Sequence, residues 1–189
     1  MKDVWIQGGS IARWNVSAAE SRVYPGRART HPDAVTYRFE NGWVDTGDLP
    51  CREALRKEVS TRVVELPELS YPEVYLSGAK GDVDYSAFCH VPEWRVRHAR
   101  VRLESDHNQT IRVRVKTAGA VHLWRDSQLV LRFEPFIRNE VQDQEFELEV
   151  AKGAQQLTVR FEDLHERDTN FGFGLELIQG EGLSTRIES

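Results

Sequence analysis

The sequence has few of the residues that would cross-link the chain or insert it into a membrane. Only two of its 189 residues are cysteines, Cys51 and Cys89, and neither stands in a metal or redox spacing. We predict two buried free thiols, although their separation also permits a disulfide. The opening MKDVWIQGGS lacks the apolar run of a secretory signal, and no stretch approaches the ~18 apolar residues of a membrane span. We therefore expect a soluble chain with no signal peptide and no membrane partner, cytoplasmic if complete.

An excess of positive charge is also missing. The net charge is −5 and the isoelectric point is near 5.7, whereas general nucleic-acid binding needs a basic face that neutralises phosphates. The one concentration of basic residues is a set of arginines on strand-like segments: Arg95, Arg97, Arg100, Arg102, Arg112 and Arg114. We predict that nucleic acid is not a partner.

Catalytic motifs are missing as well. The sequence contains no Gly-x-Ser-x-Gly elbow, no His-Glu-x-x-His and no phosphate loop, so we predict that the chain is not an enzyme. One alternative stays open, because His90, His98 and His122 lie on strand-like segments and could converge on a metal, as in a cupin-like metalloenzyme. Lone histidines at unrelated spacings are more often structural than ligating.

The sequence does contain a regular alternation of apolar and polar residues. Hydrophobic residues make up 40% and charged residues 29%, as in a folded protein. The alternation has period two in six segments: 110–116, 120–125, 129–136, 145–150, 157–163 and 171–178. Short strands at such regular spacing, with turns between them, predict an all-β antiparallel fold, either a sandwich or a barrel.

The N-terminal region is less regular. We predict short strands, a hairpin turning at Asn41-Gly42 and one or two turns of helix within 49–58. A further strand is predicted over 83–91, ended by Pro92, with Trp94 exposed in the loop that follows. We divide the chain into an N-terminal part, 1–82, packed on a sandwich, 83–189, with the two forming one structural domain.

A family resemblance rests on two strand-turn elements. In one, Val121, Leu123 and Trp124 lead through a turn to Leu129 and Val130; in the other, a Lys152-Gly153 turn leads to Leu157 and Val159. On these elements, residues 83–178 resemble the galactose-binding-like jelly-roll accessory domains of bacterial glycoside hydrolases. The resemblance implies that the all-β fold is an antiparallel β-sandwich of the jelly-roll, galactose-binding-like type, similar to a carbohydrate-binding module.

Candidate sugar-binding residues follow from the chemistry of sugars, which need an aromatic platform and charged or amide groups for their hydroxyls. If Leu123 points into the core, Trp124 and His122 form an exposed platform flanked by Arg125 and Asp126. The alternative is that the sandwich covers Trp124. A second polar cluster, Arg138 and Asn139, follows Phe136 in a loop that could lie beside the acidic segment 162–170.

That acidic segment is a candidate cation site. It carries four carboxylates, and we take Asp163, Glu166 and Asp168 as candidate ligands of a structural calcium. The alternative is a solvated acidic turn with Arg167 as its internal partner. No other cofactor is expected.

The predicted function is that of a non-catalytic carbohydrate-binding or accessory module of a glycoside-hydrolase-type bacterial protein. Its expected partners are a carbohydrate and a neighbouring catalytic domain. The alternative is a structural or protein-interaction sandwich that binds no sugar, and this choice rests on analogy with the resembled family.

Overall fold

The structure is a computed structural model that describes residues 2–23, 50–78 and 81–188, and it confirms an all-β antiparallel sandwich. One helix, α1 (Pro50–Thr61), accompanies the strands. The strands are β1 (Asp3–Trp5), β2 (Arg13–Val16), β3 (Glu20–Val23), β4 (Glu73–Leu76), β5 (Asp82–Asp84), β6 (Ala87–Ser105), β7 (Gln109–Thr117), β8 (Ala120–Arg125), β9 (Gln128–Phe133), β10 (Gln142–Val150), β11 (Gly153–Thr169), β12 (Gly172–Gln179) and β13 (Leu183–Arg186).

Two antiparallel sheets face each other. The larger sheet has the order β1-β13-β6-β11-β8-β9. The long strand β6 pairs with β11 along one edge and with β3, β2 and β13 in turn along the other, and β4 pairs with the outer edge of β2. The smaller sheet has the order β10-β7-β12-β5. The N-terminal strands β1 to β4 are therefore hydrogen-bonded into the larger sheet. The hairpin predicted at Asn41-Gly42 lies outside the described residues.

The core lies between the two sheets and is built by the predicted alternation. Ile111, Val113 and Val115 on β7 face inward against every second residue of β6, β8 and β11. At its centre, the ring of Phe161 lies 5.1 Å from those of Phe171 and Phe173. Such aromatic pairs add to the burial of apolar area, so this cluster fixes how the sheets meet.

The larger sheet is covered on its outer face as well. Leu55 and Val59, one turn apart on α1, pack with Trp94 and Leu164 of the outer face. The helix runs for twelve residues, longer than the one or two turns predicted. Tertiary burial of an apolar pair supplies stability that a short isolated helix lacks. Trp94 is only 9% exposed, so the predicted exposure of this side chain is wrong.

Strand β6 does not end at Pro92, as the sequence predicted, but continues through it to Ser105. The pairing of β6 with β11 shifts register between His165 and Arg167, and residues 90–92 have no partner on β11 there. Proline removes a backbone donor and is tolerated where a ladder is already interrupted. This irregularity brings side chains together that a regular strand would separate.

The strand arginines singled out in the sequence are dispersed rather than gathered on one face. Arg97 contacts Glu73, Arg100 contacts Glu188, and Arg114 contacts both Glu145 and Glu176. Because acidic partners balance these charges, they do not form a continuous basic surface. In the described part of the chain, no helix has the length and apolar character needed to cross a membrane.

Candidate functional site

Trp124 and His122 do not form an exposed platform. They lie on the outer face of the larger sheet, where Trp124 is 2% exposed and His122 is fully buried. The side chains alternate as predicted, with Leu123 in the core between the sheets. The exposure was wrong because the second face of this sheet is also covered, by parts of the chain whose packing the local pattern does not reveal.

A cluster of charged residues lies on this covered face, and Glu162 is its centre. We call it the covered cluster: Arg62, His98, His122, Arg132, Glu134, Arg160 and Glu162. Both carboxylate oxygens of Glu162 accept from Arg62 at 2.6 Å, and the indole nitrogen of Trp94 donates to it at 2.7 Å. Arg160 adds a contact at 3.0 Å. Buried charge is tolerated only when paired and hydrogen-bonded in this way.

The protonation of the covered cluster follows from these contacts. Burial raises the pKa of Glu162, but the opposing effect of Arg160 and Arg62 is larger, so the pKa of Glu162 lies below its ordinary value. Burial lowers the pKa of His122, and a hydrogen bond with Glu134 at 2.6 Å offsets this only in part. A neutral His122 donates to Glu134 through Nε2. The cluster thus locks the segment after α1 onto the sheet, and its central carboxylate has no access to a ligand.

Arg125 and Asp126 form the turn between β8 and β9. Asp126 has a left-handed backbone, with φ of 54°, and its carboxylate accepts from the Gln156 backbone at 2.9 Å. Arg125 donates to the Glu149 carbonyl and to the Gln128 side chain. The turn therefore uses the tolerance of Asp for a left-handed backbone, and the Asp126 carboxylate ties the turn to β11.

Asn139 lies beside the segment 162–170, as the sequence suggested. Its side chain donates to the Asp168 carbonyl at 2.6 Å and accepts from the Asn170 backbone at 2.9 Å. Its backbone is left-handed, with φ of 56°, which Asn tolerates better than most residues. Asn139 thus ties the loop after Phe136, which also carries Arg138, to the start of β12.

Replacing Asn139 by alanine is expected to lower the free energy of unfolding by about 1–2 kcal/mol, since two hydrogen bonds are lost and alanine is strained at this φ. Urea denaturation measures the change. Asn139→Gly is the matched control, because it loses the bonds without the strain and should cost less. Equal stabilities of the alanine variant and the native chain would contradict this role.

The acidic segment is a strand, not a loop. Asp163 and Asp168 both belong to β11 and lie on either side of its register shift. Asp163 is buried and accepts from the Leu164 backbone, whereas Asp168 is exposed. The side chain of Glu166 is outside the described residues. The predicted loop is therefore wrong: β11 resumes its pairing with β6 after the bulge, so these polar residues belong to the strand.

An open cleft lies at one end of the smaller sheet, where β5, β12 and β7 meet. Its volume is about 370 Å³, within the range of small-ligand pockets. We call it the β5–β12 cleft; the residues that give it its chemistry are Tyr75, Asp82, Asp84, Lys116, Asn170, Gly172 and Gly174. The two glycines let β5 lie close against β12: a Cβ on Gly174 would lie 2.3 Å from Asp82 Oδ1, and a Cβ on Gly172 would lie 2.0 Å from the Val83 carbonyl oxygen.

The walls of the cleft carry donors and acceptors around a half-buried aromatic ring. The Tyr75 hydroxyl accepts from the Asp84 backbone nitrogen at 2.9 Å and donates to its carbonyl at 3.1 Å, which fixes the ring. Asp84 is exposed, and one of its oxygens accepts from the Ser86 backbone. Lys116 contacts Glu176 at 3.1 Å and, with three donors, has hydrogens left for a ligand.

Sequence reasoning missed this cleft. Its residues come from five separate segments, so no local motif joins them. One signal was present: the Gly-Phe-Gly of 172–174 places two glycines on the outer face of a predicted strand, and such glycines mark close approach of a backbone or a ligand.

His98 and His122, two of the three histidines of the cupin-like alternative, share the covered face. Within the described ranges, neither joins a group of three ligand atoms close enough to hold a metal ion. The side chain of His90 is outside the described residues. Cys89 is buried and free, as predicted, whereas the side chain of Cys51 is not described.

No protein-family model and no curated protein sequence matches the chain. Solved structures match at low identity. A family 35 carbohydrate-binding module from an environmental isolate is 11% identical, with a TM-score of 0.35, covering 57% of this chain and 77% of that one. A β-glucosidase from Kluyveromyces marxianus is 10% identical, with a TM-score of 0.40. A GH31 α-xylosidase from Xanthomonas citri is 10% identical, with a TM-score of 0.38.

The alignments with the two enzymes cover 65% and 56% of this chain but only 15% and 13% of theirs. The structures found are thus a carbohydrate-binding module and glycoside hydrolases, at low identity and with partial coverage.

Proposed function

We propose that the chain is a non-catalytic module that binds a mono- or oligosaccharide in the β5–β12 cleft and serves a carbohydrate-active protein beside its catalytic domain. The observation that carries this proposal is the composition of the cleft. A half-buried tyrosine can lie against the apolar face of a sugar ring, and carboxylate, ammonium and amide groups around it can bond hydroxyls.

The shape of the cleft also suits a saccharide. It is open, and the close packing of β5 on Gly172 and Gly174 holds the Asp82 carboxylate in its lining, where it can accept from a sugar hydroxyl. Asp84 supplies acceptors, while Lys116 and Asn170 supply donors. The resemblance found in the sequence makes saccharides the first ligands to test.

A second candidate function is docking to another protein without sugar binding. Val74 and Leu76 are 51% and 66% exposed on β4, which pairs only with β2 among the described strands. Exposed apolar side chains on an edge strand favour association with a further chain or domain.

Isothermal titration against a panel of mono- and oligosaccharides tests the proposal. We expect one saccharide to bind, and Lys116→Ala and Asn170→Ala each to weaken binding at least tenfold, which corresponds to about 1.4 kcal/mol. Lys152→Ala is the matched control, because Lys152 is exposed on the turn between β10 and β11, away from the cleft. This control should bind like the native chain.

Two outcomes would overturn the proposal. Undiminished binding in both cleft variants would place the sugar elsewhere on the protein. The absence of binding by the native chain across the panel would favour the docking function, because that function requires no saccharide.

A further inference from the structure

Three potential metal ligands meet at the irregular part of β6. The Sγ of Cys89, a carboxylate oxygen of Glu93 and a ring nitrogen of His165 all lie within 4.8 Å of one another. Cys89 Sγ lies 3.6 Å from Glu93 Oε1. In a regular strand, residues four apart would lie about 13 Å from each other, so the interruption around Pro92 is what brings the thiol and the carboxylate together.

The partner strand is distorted at the same level. His165 is the cross-strand neighbour of Glu93, and the register of β11 shifts immediately after it. Arg167, which pairs with Cys89, has a left-handed backbone with φ of 50°. Bulges of this kind redirect side chains and are frequent beside functional sites. Here the distortions on both strands converge on one small volume.

His165 supplies an independent reason to expect a ligand there. Its side chain is fully buried, yet neither ring nitrogen makes a hydrogen bond of normal geometry with any described residue. Buried polar atoms are nearly always satisfied, and an exception calls for an unseen water or ion. The ring contacts Phe171 on one side, at 5.5 Å between centroids, so a nitrogen is left to face the thiol and the carboxylate.

We propose that Cys89, Glu93 and His165 bind a zinc ion or a similar thiophilic divalent cation. A thiolate, an imidazole and one carboxylate form a donor set that zinc accepts, whereas calcium and magnesium prefer oxygen ligands alone. Ligand distances to zinc of about 2.0–2.3 Å require the three side chains to close by roughly an ångström. Three protein ligands leave a fourth position for water or another donor.

The protonation states fit this assignment. Burial, and secondarily Arg95, lowers the pKa of His165 to about 4, so the imidazole is neutral at pH 7, although Glu93 and a backbone contact with Ala87 oppose the shift. Burial raises the pKa of the Cys89 thiol, with Arg95 opposing it. Because zinc binds the thiolate, metal binding at pH 7 should release about one proton.

Cobalt substitution tests the site on the full chain. Protein freed of metal with a chelator is titrated with Co²⁺ and then Zn²⁺, and bound metal is counted after gel filtration. We expect one ion per chain, a near-ultraviolet thiolate-to-cobalt band that zinc abolishes, and release of about one proton. Calcium and magnesium should not compete. Zinc should also raise the thermal unfolding midpoint, because it binds the folded state.

The two cysteines provide a matched pair of variants. Cys89→Ser should lose the thiolate band and at least a hundredfold in zinc affinity, while Cys51→Ser should keep both. His165→Asn serves as a second variant, and its folding is checked by circular dichroism. The proposal is overturned if the folded native chain binds no zinc or cobalt, or if Cys89→Ser retains the band. These outcomes are independent of saccharide binding, which is measured with the cleft variants.

Discussion

Replacing Glu162 by alanine is expected to lower the free energy of unfolding by about 3–5 kcal/mol, a large part of the stability of a domain this size. The carboxylate is fully buried and pairs with Arg62 and Arg160, while the Trp94 indole donates to it. Its removal leaves two guanidinium groups and an indole N–H without their acceptor in the covered cluster. Breaking a buried pair from one side costs far more than the pair itself contributes.

Urea denaturation at pH 7 measures this change, with Glu147→Ala as the matched control. Glu147 is exposed on β10, and surface substitutions of this kind stay within about 0.5 kcal/mol. The loss of unfolding free energy in Glu162→Gln should lie between the losses in Glu162→Ala and Glu147→Ala, because glutamine keeps the shape of the side chain but not its charge. A loss below about 1 kcal/mol in the alanine variant would mean that Arg62 and Arg160 find other partners or water.

Acid should destabilise the protein well before its carboxylates are protonated, and His98 is a main cause. Burial, with Arg160 and His122 adding to it and Glu162 opposing, lowers the pKa of His98 to about 4. The unfolded value is near 6.5. Between these two pH values the unfolded chain binds a proton that the folded chain does not. The stability is therefore complete above pH 6.5 and is lost as the pH falls towards 4.

The expected loss from this histidine is about 2.5 kcal/mol at pH 4.5. Burial lowers the pKa of His165 to about 4 as well, so it contributes in the same direction in metal-free protein. Unfolding free energies measured between pH 7.5 and 4.5, with a chelator present, test the effect.

In His98→Gln, the loss of unfolding free energy between pH 7.5 and 4.5 should be smaller than in the native chain by about 2.5 kcal/mol. Identical pH profiles for the native chain and His98→Gln would contradict the burial argument.

The strands β7, β8, β10 and β12 were predictable because their signal is local, whereas the strand predicted over 83–91 is divided between β5 and β6. Alternation of apolar and polar residues depends only on the period of a strand, so β8 was predicted to the residue, at Ala120–Arg125. The predicted limits were less accurate where the alternation fails. In β11, Glu162 and Leu164 share a covered face, so a polar and an apolar residue are both buried on the side expected to be wet.

The candidate sites were much less predictable. Trp124 was chosen as a platform because its neighbour Leu123 points inward, and the structure agrees with that orientation while burying both residues. Helix α1 and Arg62 lie on this outer face, although they are far away in the chain. Arg62 reaches Glu162 across 100 residues of sequence, and no spacing rule addresses a contact at that distance.

Local patterns in the sequence were enough to predict an all-β fold, the positions of most described strands, and the inward residues of the core. These follow from short-range periodicity and from turn chemistry, which act within a few residues. The tertiary structure decided which sheet faces meet water, where the β5–β12 cleft opens, and that Cys89, Glu93 and His165 converge. Each of these depends on the packing and register of strands from distant segments, where a shift of one residue turns every side chain to the opposite face.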